Sequence, residues 1–432
     1  MALLLRFGIG LLLVPDAMDP ARDHWAFDYE MGKIATAIVD GRGFADPYNC
    51  RGMPPAGSPE ATDPCYGHTG PSALEPPTYP YFLAGIFELW GVYTRASLIV
   101  ALFANCLFSA LTIIPLYGIA AKCFSPRIAR WAVWGWAFFP YSIYLSASIP
   151  WVTTITTLFV ALMVRLALDL ESAAGLGAWL GFGLFAGFAA LTDPGVLAVV
   201  PFIGGWACWR TYLRGRSWKL PAAVALLAMT IAPTPWMIRN YRVFHKPVFL
   251  RDTFWLVFRA GNSDHSIHWW DDSAVPGNNP SEMREMVRLG ELAYLDQKRE
   301  QSLEFLRIHP GLFARLMVRR IVYVWTGFWS FRHDYLQLEP YDPYNIPFCT
   351  AVTILMLIGV RRLFRERHFA RFLFVSLLVA FPLVYYVTYP LLRYRSPIDP
   401  YIVLLSAYGL APLFSRERET ISHPPAEHVE SL

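Results

Sequence analysis

Hydrophobic residues along this chain form long continuous runs, and polar residues gather in the segments between them. The runs at 98–121 and 131–164 each exceed the ~20 apolar residues that a helix needs to cross a bilayer. The same pattern predicts spans at about 2–14, 97–121, 129–148, 151–170, 174–191, 194–210, 220–237, 344–360, 372–389 and 398–414. The sequence therefore predicts an all-α polytopic membrane protein with roughly 10–12 membrane helices.

The composition supports this class. Of the 432 residues, 55% are hydrophobic and 16% are charged, whereas soluble domains carry roughly 25% charged residues. The net charge of +4 comes from basic residues in short loops. It reports the orientation of the chain in the membrane and does not indicate a nucleic-acid partner.

Four groups of lysine and arginine predict the topology, because cytoplasmic loops are enriched in these residues. The groups lie at 122–130, 210–219, 361–371 and 416–418. We expect the opposite, non-cytoplasmic side to hold 15–97, 148–152, 191–195, 237–342 and 390–396. This arrangement predicts a multi-pass protein of the cytoplasmic (inner) membrane, with two large polar segments on its periplasmic or extracellular face.

The spans and polar segments divide the chain into four parts. We expect a transmembrane core with a long first outer loop and interfacial helices, an outer-face segment, a group of C-terminal membrane helices, and a cytoplasmic tail. These parts cover 1–237 (with the first loop at 15–77), 238–342, 343–414 and 415–432.

Two helices are expected in the outer-face segment. The first is a surface helix with Ser281 as its N-cap and Pro310 at its end. The second, at 312–331, contains three arginines among aromatic residues. Because arginine is costly inside a membrane, we expect this helix to lie in the interface or against other helices.

The stretch "RDHWAFDYEMGKIATAIVDGRGF" at 22–44 places Asp23, Asp28 and Glu30 just after the first apolar run. One interpretation is an amphipathic helix anchored in the interface by its aromatic residues. The other is a catalytic one, because a carboxylate that is partly buried beside aromatics can act as a general base on an acceptor hydroxyl or amine.

A second stretch, "TYPLLRYRSPIDP" at 388–400, places Arg393 and Arg395 on either side of Tyr394. These arginines could extend along the membrane surface with their charges in water. Alternatively they form an anion clamp, because guanidinium groups bind phosphate oxygens bidentately.

These stretches and several others together resemble the GT-C class of integral-membrane glycosyltransferases, in particular the glycosyltransferase 39-like relatives of protein mannosyltransferases and aminoarabinose transferases. The resemblance extends over most of the chain, and it depends on the order and spacing of its motifs. The motifs are "FDYEMGKIATAIVDGRGF", "GHTGPSALEPPTYPYFLAGIFELWG", "LTDPGVLAVVP", "PWMIRNYRVF" and "LRYRSPIDP".

The resemblance implies an inverting, metal-independent transfer of a sugar from a polyprenyl-phosphate donor to an acceptor on the outer face. It implies a first-loop carboxylate as the base, with Glu30 ranked above Asp28 and Asp23 third. Arg393, Arg395 and Tyr394 would bind the donor phosphate, and no cofactor is expected. Further candidates for substrate binding are His24, Glu75, Tyr79 and Arg239.

The acceptor could be a protein, a lipid or a glycan. The main alternative function is a non-catalytic transporter or flippase of polyprenyl-linked lipids, which would need the arginines but not the carboxylates. A structural membrane scaffold, in which both motifs are incidental, is the third interpretation.

Three further sites are weaker candidates. Cys50 and Cys65 share one outer loop, where a disulfide would persist. The histidines and aspartates of "NSDHSIHWWDD" suit a metal by residue type, but their spacing matches no zinc signature. Asp193 is expected to cap the helix that follows it, with Pro194 in the first turn.

Overall fold

The computed structural model of the chain describes residues 1–19, 29–48, 68–170, 175–263 and 269–414. Within these ranges the protein is built from helices, with no strand longer than a single bridge between Ala45 and Pro71. The predicted all-α class is confirmed.

Twelve α-helices occupy the first part of the described chain. They are α1 (Ala2–Ala17), α2 (Glu30–Val39), α3 (Thr78–Trp90), α4 (Arg95–Leu111), α5 (Ile113–Cys123), α6 (Pro126–Ala137), α7 (Pro140–Ser148), α8 (Thr153–Leu170), α9 (Leu176–Thr192), α10 (Val200–Leu213), α11 (Lys219–Ile231) and α12 (Thr234–Phe244).

Nine more occupy the rest of the described chain. They are α13 (Phe254–Gly261), α14 (Pro280–Leu289), α15 (Glu291–Ile308), α16 (Pro310–Thr326), α17 (His333–Leu338), α18 (Asp342–Arg365), α19 (Arg371–Ala380), α20 (Leu383–Val387) and α21 (Asp399–Leu410). A 3₁₀ turn, Leu392–Ile398, leads into α21.

Several of these helices are apolar and long enough to cross a membrane. Among the described residues they are α4–α5 taken together, α8 and α18, and a fourth span forms if α11 and α12 are counted as one element bent by 40°. Shorter apolar helices at α9 and α19–α20 pack beside them. The chain is therefore a multi-pass membrane protein.

Proline and glycine break elements that the apolar pattern predicted as continuous. The expected span at 129–148 is two helices, because α6 ends at Ala137 and Pro140 opens α7. The expected surface helix from Ser281 to Pro310 is wrong as a single helix. Asn279 caps its first half, and the chain turns at Gly290, whose φ is +78°, before α15 begins.

A buried arginine holds α1 against the break between α6 and α7. Arg6 donates from Nη1 to Ala137 O at 2.9 Å and from Nη2 to Trp136 O at 2.8 Å. It also donates to the hydroxyls of Ser109 and Ser142. The guanidinium thus supplies hydrogen bonds to two carbonyls in the last turn of α6.

The pairing of α9 with α11 depends on small residues. A Cβ atom added at Gly183 would lie 2.1 Å from Ala225 O, and one at Gly187 would lie 2.5 Å from Met229 O. Glycines four residues apart therefore let the two backbones approach closely, as in many membrane helix pairs.

The helix α21 and the side chain of Arg320 are both buried near the point where α21 begins. Residues Asp399 to Tyr408 of α21 are all buried, so this helix lies at the centre of the bundle. Arg320 of α16 is also buried, and it donates to Gly261 O and Asn262 Oδ1 after α13 and to Val387 O at the end of α20. The helix expected at 312–331 therefore packs against other helices.

Candidate functional site

A short segment of the first loop, 71–75, packs against α12 and the segment that follows it. Arg239 donates to Ser72 O at 2.7 Å, and Ala73 N donates to Glu291 Oε1 at 2.6 Å. Asp252 N donates to Ala73 O at 2.9 Å, and the Thr253 hydroxyl donates to Leu74 O. These contacts show that the two segments predicted to share one membrane side pack directly on each other.

The same contacts fix the position of Glu75. Its side chain is buried, and Oε2 accepts a hydrogen bond from Arg251 Nη1 at 3.4 Å. Burial raises the pKa of Glu75 to about 7, while the charge of Arg251 opposes this rise and those of Glu30 and Asp193 add to it. The hydrogen bonds made by residues 72–74 thus fix the position of a carboxyl group whose pKa is near neutrality.

Glu30 is the first residue of α2, and it lies within electrostatic reach of the hydroxyl of Tyr48. It lies within electrostatic reach of Glu75 and of Tyr389. The preceding residue, Tyr29, packs edge-on against Trp151 with 5.0 Å between ring centres. The acidic motif of the first loop therefore lies against the turn that precedes α8.

Arg393 lies on the same aromatic pair. Its guanidinium carbon is 5.8 Å from the ring centre of Tyr29 and 5.3 Å from that of Trp151. Both Nε of Arg393 and Oγ1 of Thr154 are buried without a hydrogen-bond partner among the described residues.

These two unpaired atoms belong to residues that line one narrow cleft, which has room for about one water molecule. The remaining lining residues are Leu145, Ile149, Trp151 and Thr153. Buried polar atoms nearly always have partners in folded proteins. A donor and a hydroxyl left unpaired in one cleft are therefore available to hydrogen-bond a water molecule or a ligand.

Aromatic side chains extend the site away from this cleft. Tyr394 stacks on Tyr385 with 4.4 Å between ring centres, and its hydroxyl forms a hydrogen bond with that of Tyr389. Tyr389 in turn packs on Trp270 at 4.2 Å. These rings connect Arg393 to Arg251, which lies within electrostatic reach of both Tyr385 and Tyr394.

The structure separates the two arginines of the "LRYRS" motif. Arg395 is only 2% exposed, and it donates from Nε to Asp399 Oδ1 at 2.8 Å and from Nη1 to Val324 O at 3.0 Å. In this arrangement its side chain serves the start of α21. Of the two arginines predicted to bind phosphate, only Arg393 is used in the proposed function.

Two other candidates for substrate binding have structural contacts. The hydroxyl of the buried Tyr79 donates to Asn105 Oδ1 at 3.0 Å, which links α3 to α4. Arg239 holds the first loop through Ser72 O and through Phe44 O, the latter at 2.8 Å. The predicted helix cap is confirmed, since Asp193 Oδ1 accepts from Gly195 N at 2.8 Å.

Several candidates lie outside the described residues. They are Asp23, His24, Asp28, Cys50, Cys65, His265 and His268. The ranking of Glu30 above Asp28 and the disulfide therefore stay predictions. Within the described ranges, no group of three histidine, cysteine or acidic side chains is arranged to hold a metal ion.

Sequence reasoning missed Tyr48, Thr154 and Arg251. Each is a single polar residue that no local motif marks. Tyr385 and Tyr389 could have been found, because they stand at four-residue spacing directly before the "LRYRS" motif.

Residues 74–238 match the family model described as dolichyl-phosphate-mannose-protein mannosyltransferase. The apo oligosaccharyltransferase of Archaeoglobus fulgidus has a similar fold, with a TM-score of 0.52 and 12% identity over 97% of this chain and 51% of that chain. The chain therefore has a GT-C-type fold. The family match covers Glu75 and Asp193, whereas Glu30 and Arg393 lie beyond its two ends.

Two further solved structures are similar to this chain to different degrees. The archaeal oligosaccharyltransferase AglB of A. fulgidus, in complex with an inhibitory peptide and a dolichol-phosphate, has a TM-score of 0.50 and 12% identity over 98% of this chain and 52% of that chain. ArnT of Cupriavidus metallidurans, bound to undecaprenyl phosphate, has a TM-score of 0.35 and 13% identity over 96% and 80%. The chain spans about half the length of the archaeal structures. No curated protein has a sequence that matches it.

Proposed function

We propose that this GT-C-type protein is a membrane glycosyltransferase that moves a sugar from a polyprenyl-phosphate donor to an acceptor. One observation carries the proposal. Arg393 and Thr154 present unpaired buried polar atoms at one cleft, and Tyr29 joins this cleft to Glu30. The description of the matching family names a dolichyl-phosphate sugar as donor, and a structure of similar fold contains a dolichol-phosphate.

The reaction needs a base and a cation on opposite sides of the anomeric carbon. The Glu30 carboxylate takes the proton of the acceptor hydroxyl or amine, whose lone pair forms a bond to the anomeric carbon. The bond from that carbon to the phosphate oxygen breaks at the same time, and its electron pair leaves with the polyprenyl phosphate. Attack from the face opposite the leaving group inverts the configuration.

Arg393 stabilises the negative charge that develops on the leaving phosphate. A guanidinium held in a site of low polarity can supply this stabilisation without a metal. Thr154 Oγ1 can donate to a phosphate oxygen or accept from a sugar hydroxyl. Tyr394, which lies 5.4 Å from the Arg393 guanidinium carbon, limits where that group can move.

The proposed site lies on the periplasmic or extracellular side of the inner membrane. The support is the position of the basic groups in the opposite loops, together with the contacts between 71–75 and the segment after α12. The sugar is a hexose or a pentose, and the acceptor is a protein, a lipid or a glycan.

A binding and turnover experiment on the purified full chain in lipid nanodiscs tests this function. The chain is supplied with radiolabelled polyprenyl-phosphate sugars and a membrane extract as the source of acceptor. We expect transfer by the unchanged chain and none by Glu30→Gln, which should still bind the donor. Glu88→Gln, a change at an exposed glutamate, is the matched control. Lipid movement between leaflets that continues unchanged in Glu30→Gln, with no sugar transferred by any variant, would instead identify a transporter.

A further inference from the structure

Arg251 lies within electrostatic reach of two tyrosines, one of which packs beside Arg393. Its charge acts on Tyr385, Tyr394 and Asp193 as well as on Glu75. Tyr394 stacks on Tyr385, and the Arg393 guanidinium lies beside the Tyr394 ring. The stacked rings therefore lie near both arginines.

The guanidinium of Arg251 has capacity for a ligand. Among the described residues one hydrogen bond engages it, the contact of 3.4 Å with Glu75 Oε2, which is near the upper limit for such bonds. The side chain is 35% exposed, whereas Arg395 is 1% exposed and bonded in the interior. An arginine carries several N–H donors, so most of those on Arg251 are accessible.

Glu75 is held by the backbone more firmly than by Arg251. Four hydrogen bonds fix the residues just before it, and its carboxylate is 7% exposed. A buried carboxylate beside an exposed guanidinium orients that group and also repels any anion that the group binds.

We propose that Arg251 is a second anion-binding residue of this site, which contacts the phosphate of the polyprenyl lipid, and that Glu75 positions Arg251 and promotes release of that phosphate. The inference rests on the proposed function. Sugar transfer converts a phosphodiester with one negative charge into a monoester that can carry two. In its ionised form, the fixed carboxyl group next to Arg251 repels the product more strongly than the donor and so favours its departure.

This assignment predicts that substitutions at the two residues change the affinity for the lipid in opposite directions. Arg251→Gln should weaken binding of undecaprenyl phosphate about tenfold, because a hydrogen bond to a charged group is lost. The affinity of Arg251→Lys should lie between those of Arg251→Gln and the unchanged chain, since lysine keeps the charge and loses the planar fork. Glu75→Gln keeps an acceptor for Arg251 and removes the repelling charge, so it should bind the lipid at least threefold more tightly. A pair that served only the fold would weaken binding in both variants.

The test measures binding of radiolabelled undecaprenyl phosphate to the purified full chain by scintillation proximity. Arg259→Gln is the matched control, because Arg259 lies in the same segment and donates to Asn262 O. If the unchanged chain and the control bind and Arg251→Gln binds equally well, the Arg251 assignment is overturned. If Glu75→Gln binds more weakly, its role in release is overturned.

Failure of the proposed function gives a different result, since the unchanged chain would then transfer no sugar even if it binds the lipid. A wrong Arg251 assignment leaves sugar transfer by the unchanged chain intact. Melting temperatures of all variants show whether each is folded. Should Arg251→Gln fail to fold, Arg251→Lys and Glu75→Gln still provide the test of opposite signs.

Discussion

The guanidinium carbon of Arg393 lies 5.8 Å from the ring centre of Tyr29, although the two residues belong to opposite ends of the chain. Tyr29 immediately precedes Glu30, the proposed base, and Arg393 is the proposed cation for the leaving phosphate. This contact supports the prediction that the side chains of Glu30 and Arg393 lie within roughly 10–15 Å of each other around one sugar phosphate.

Replacing Glu30 by Gln should remove turnover and leave donor binding intact. General-base catalysis is worth about 10²–10⁴ in rate, and Gln cannot take the proton. Initial rates and donor binding should be measured on the same preparation. Asp28→Asn is the matched variant, and the base is Asp28 if that change abolishes turnover and Glu30→Gln does not.

Replacing Arg393 by Lys should raise the KM for the donor at least tenfold even though the charge is kept. Lysine lacks the planar fork that contacts two phosphate oxygens, and it cannot place a donor where Nε now lies unpaired. Steady-state kinetics over a range of donor concentrations gives the value. Arg95→Lys, at an exposed arginine, should leave KM unchanged, and an equal KM in both variants would exclude the clamp.

Glu291→Gln should flatten the dependence of stability on pH. Burial raises the pKa of Glu291 to about 7, although hydrogen bonds from Ala73 and Ser72 oppose the rise. A folded-state pKa above the unfolded value of 4.5 stabilises the fold fully at pH below 4.5, and this stabilisation is lost as pH rises through 7. The loss is on the order of 3 kcal/mol for a rise of this size.

Melting temperatures of the detergent-solubilised chain between pH 5 and 8 provide the measurement. The Glu291→Gln variant should gain stability relative to the unchanged chain as pH rises. Glu304→Gln, at an exposed site on the same helix, should follow the unchanged chain. Parallel curves for all three would contradict a raised pKa at Glu291. Glu75, whose pKa is also raised to about 7, leaves a residual slope of the same sign.

The proposed topology predicts which introduced cysteines a membrane-impermeant reagent labels in intact cells. Ser273 and Ser217 are both exposed on the protein, and they belong to segments expected on opposite sides. A cysteine at Ser273 should be labelled from outside and one at Ser217 only after permeabilisation. Labelling in the reverse order would place the site on the cytoplasmic side. Because both positions are exposed on the protein, a difference in labelling between them reports the side of the membrane and not burial.

The sequence predicted the apolar helices well, because their signal is local. Runs of apolar residues predicted a helical membrane protein, and Pro140 is the kind of residue that ends such a run. The turn at Gly290 was missed because an isolated glycine is tolerated inside many helices. Its positive φ is a property of the folded backbone.

The site was harder to predict, because its parts meet only through tertiary contacts. Arg393 and Arg395 look equivalent in "LRYRS", yet residues two apart do not share a helical face. The signal that separates them is Asp399, four residues after Arg395, where an ion pair on one helical face is favoured. Nothing local joins Glu75 to Arg251, which comes 176 residues later.

Arg6 has a consequence for how the protein is made. Its guanidinium lies in an apolar helix, and an isolated arginine there is expensive in hydrocarbon. Two of its hydrogen-bond acceptors, Trp136 O and Ala137 O, come 130 and 131 residues later in the chain. We therefore expect α1 to settle at full depth in the bilayer only after α6 has been synthesised, so insertion of the earlier helix is completed late.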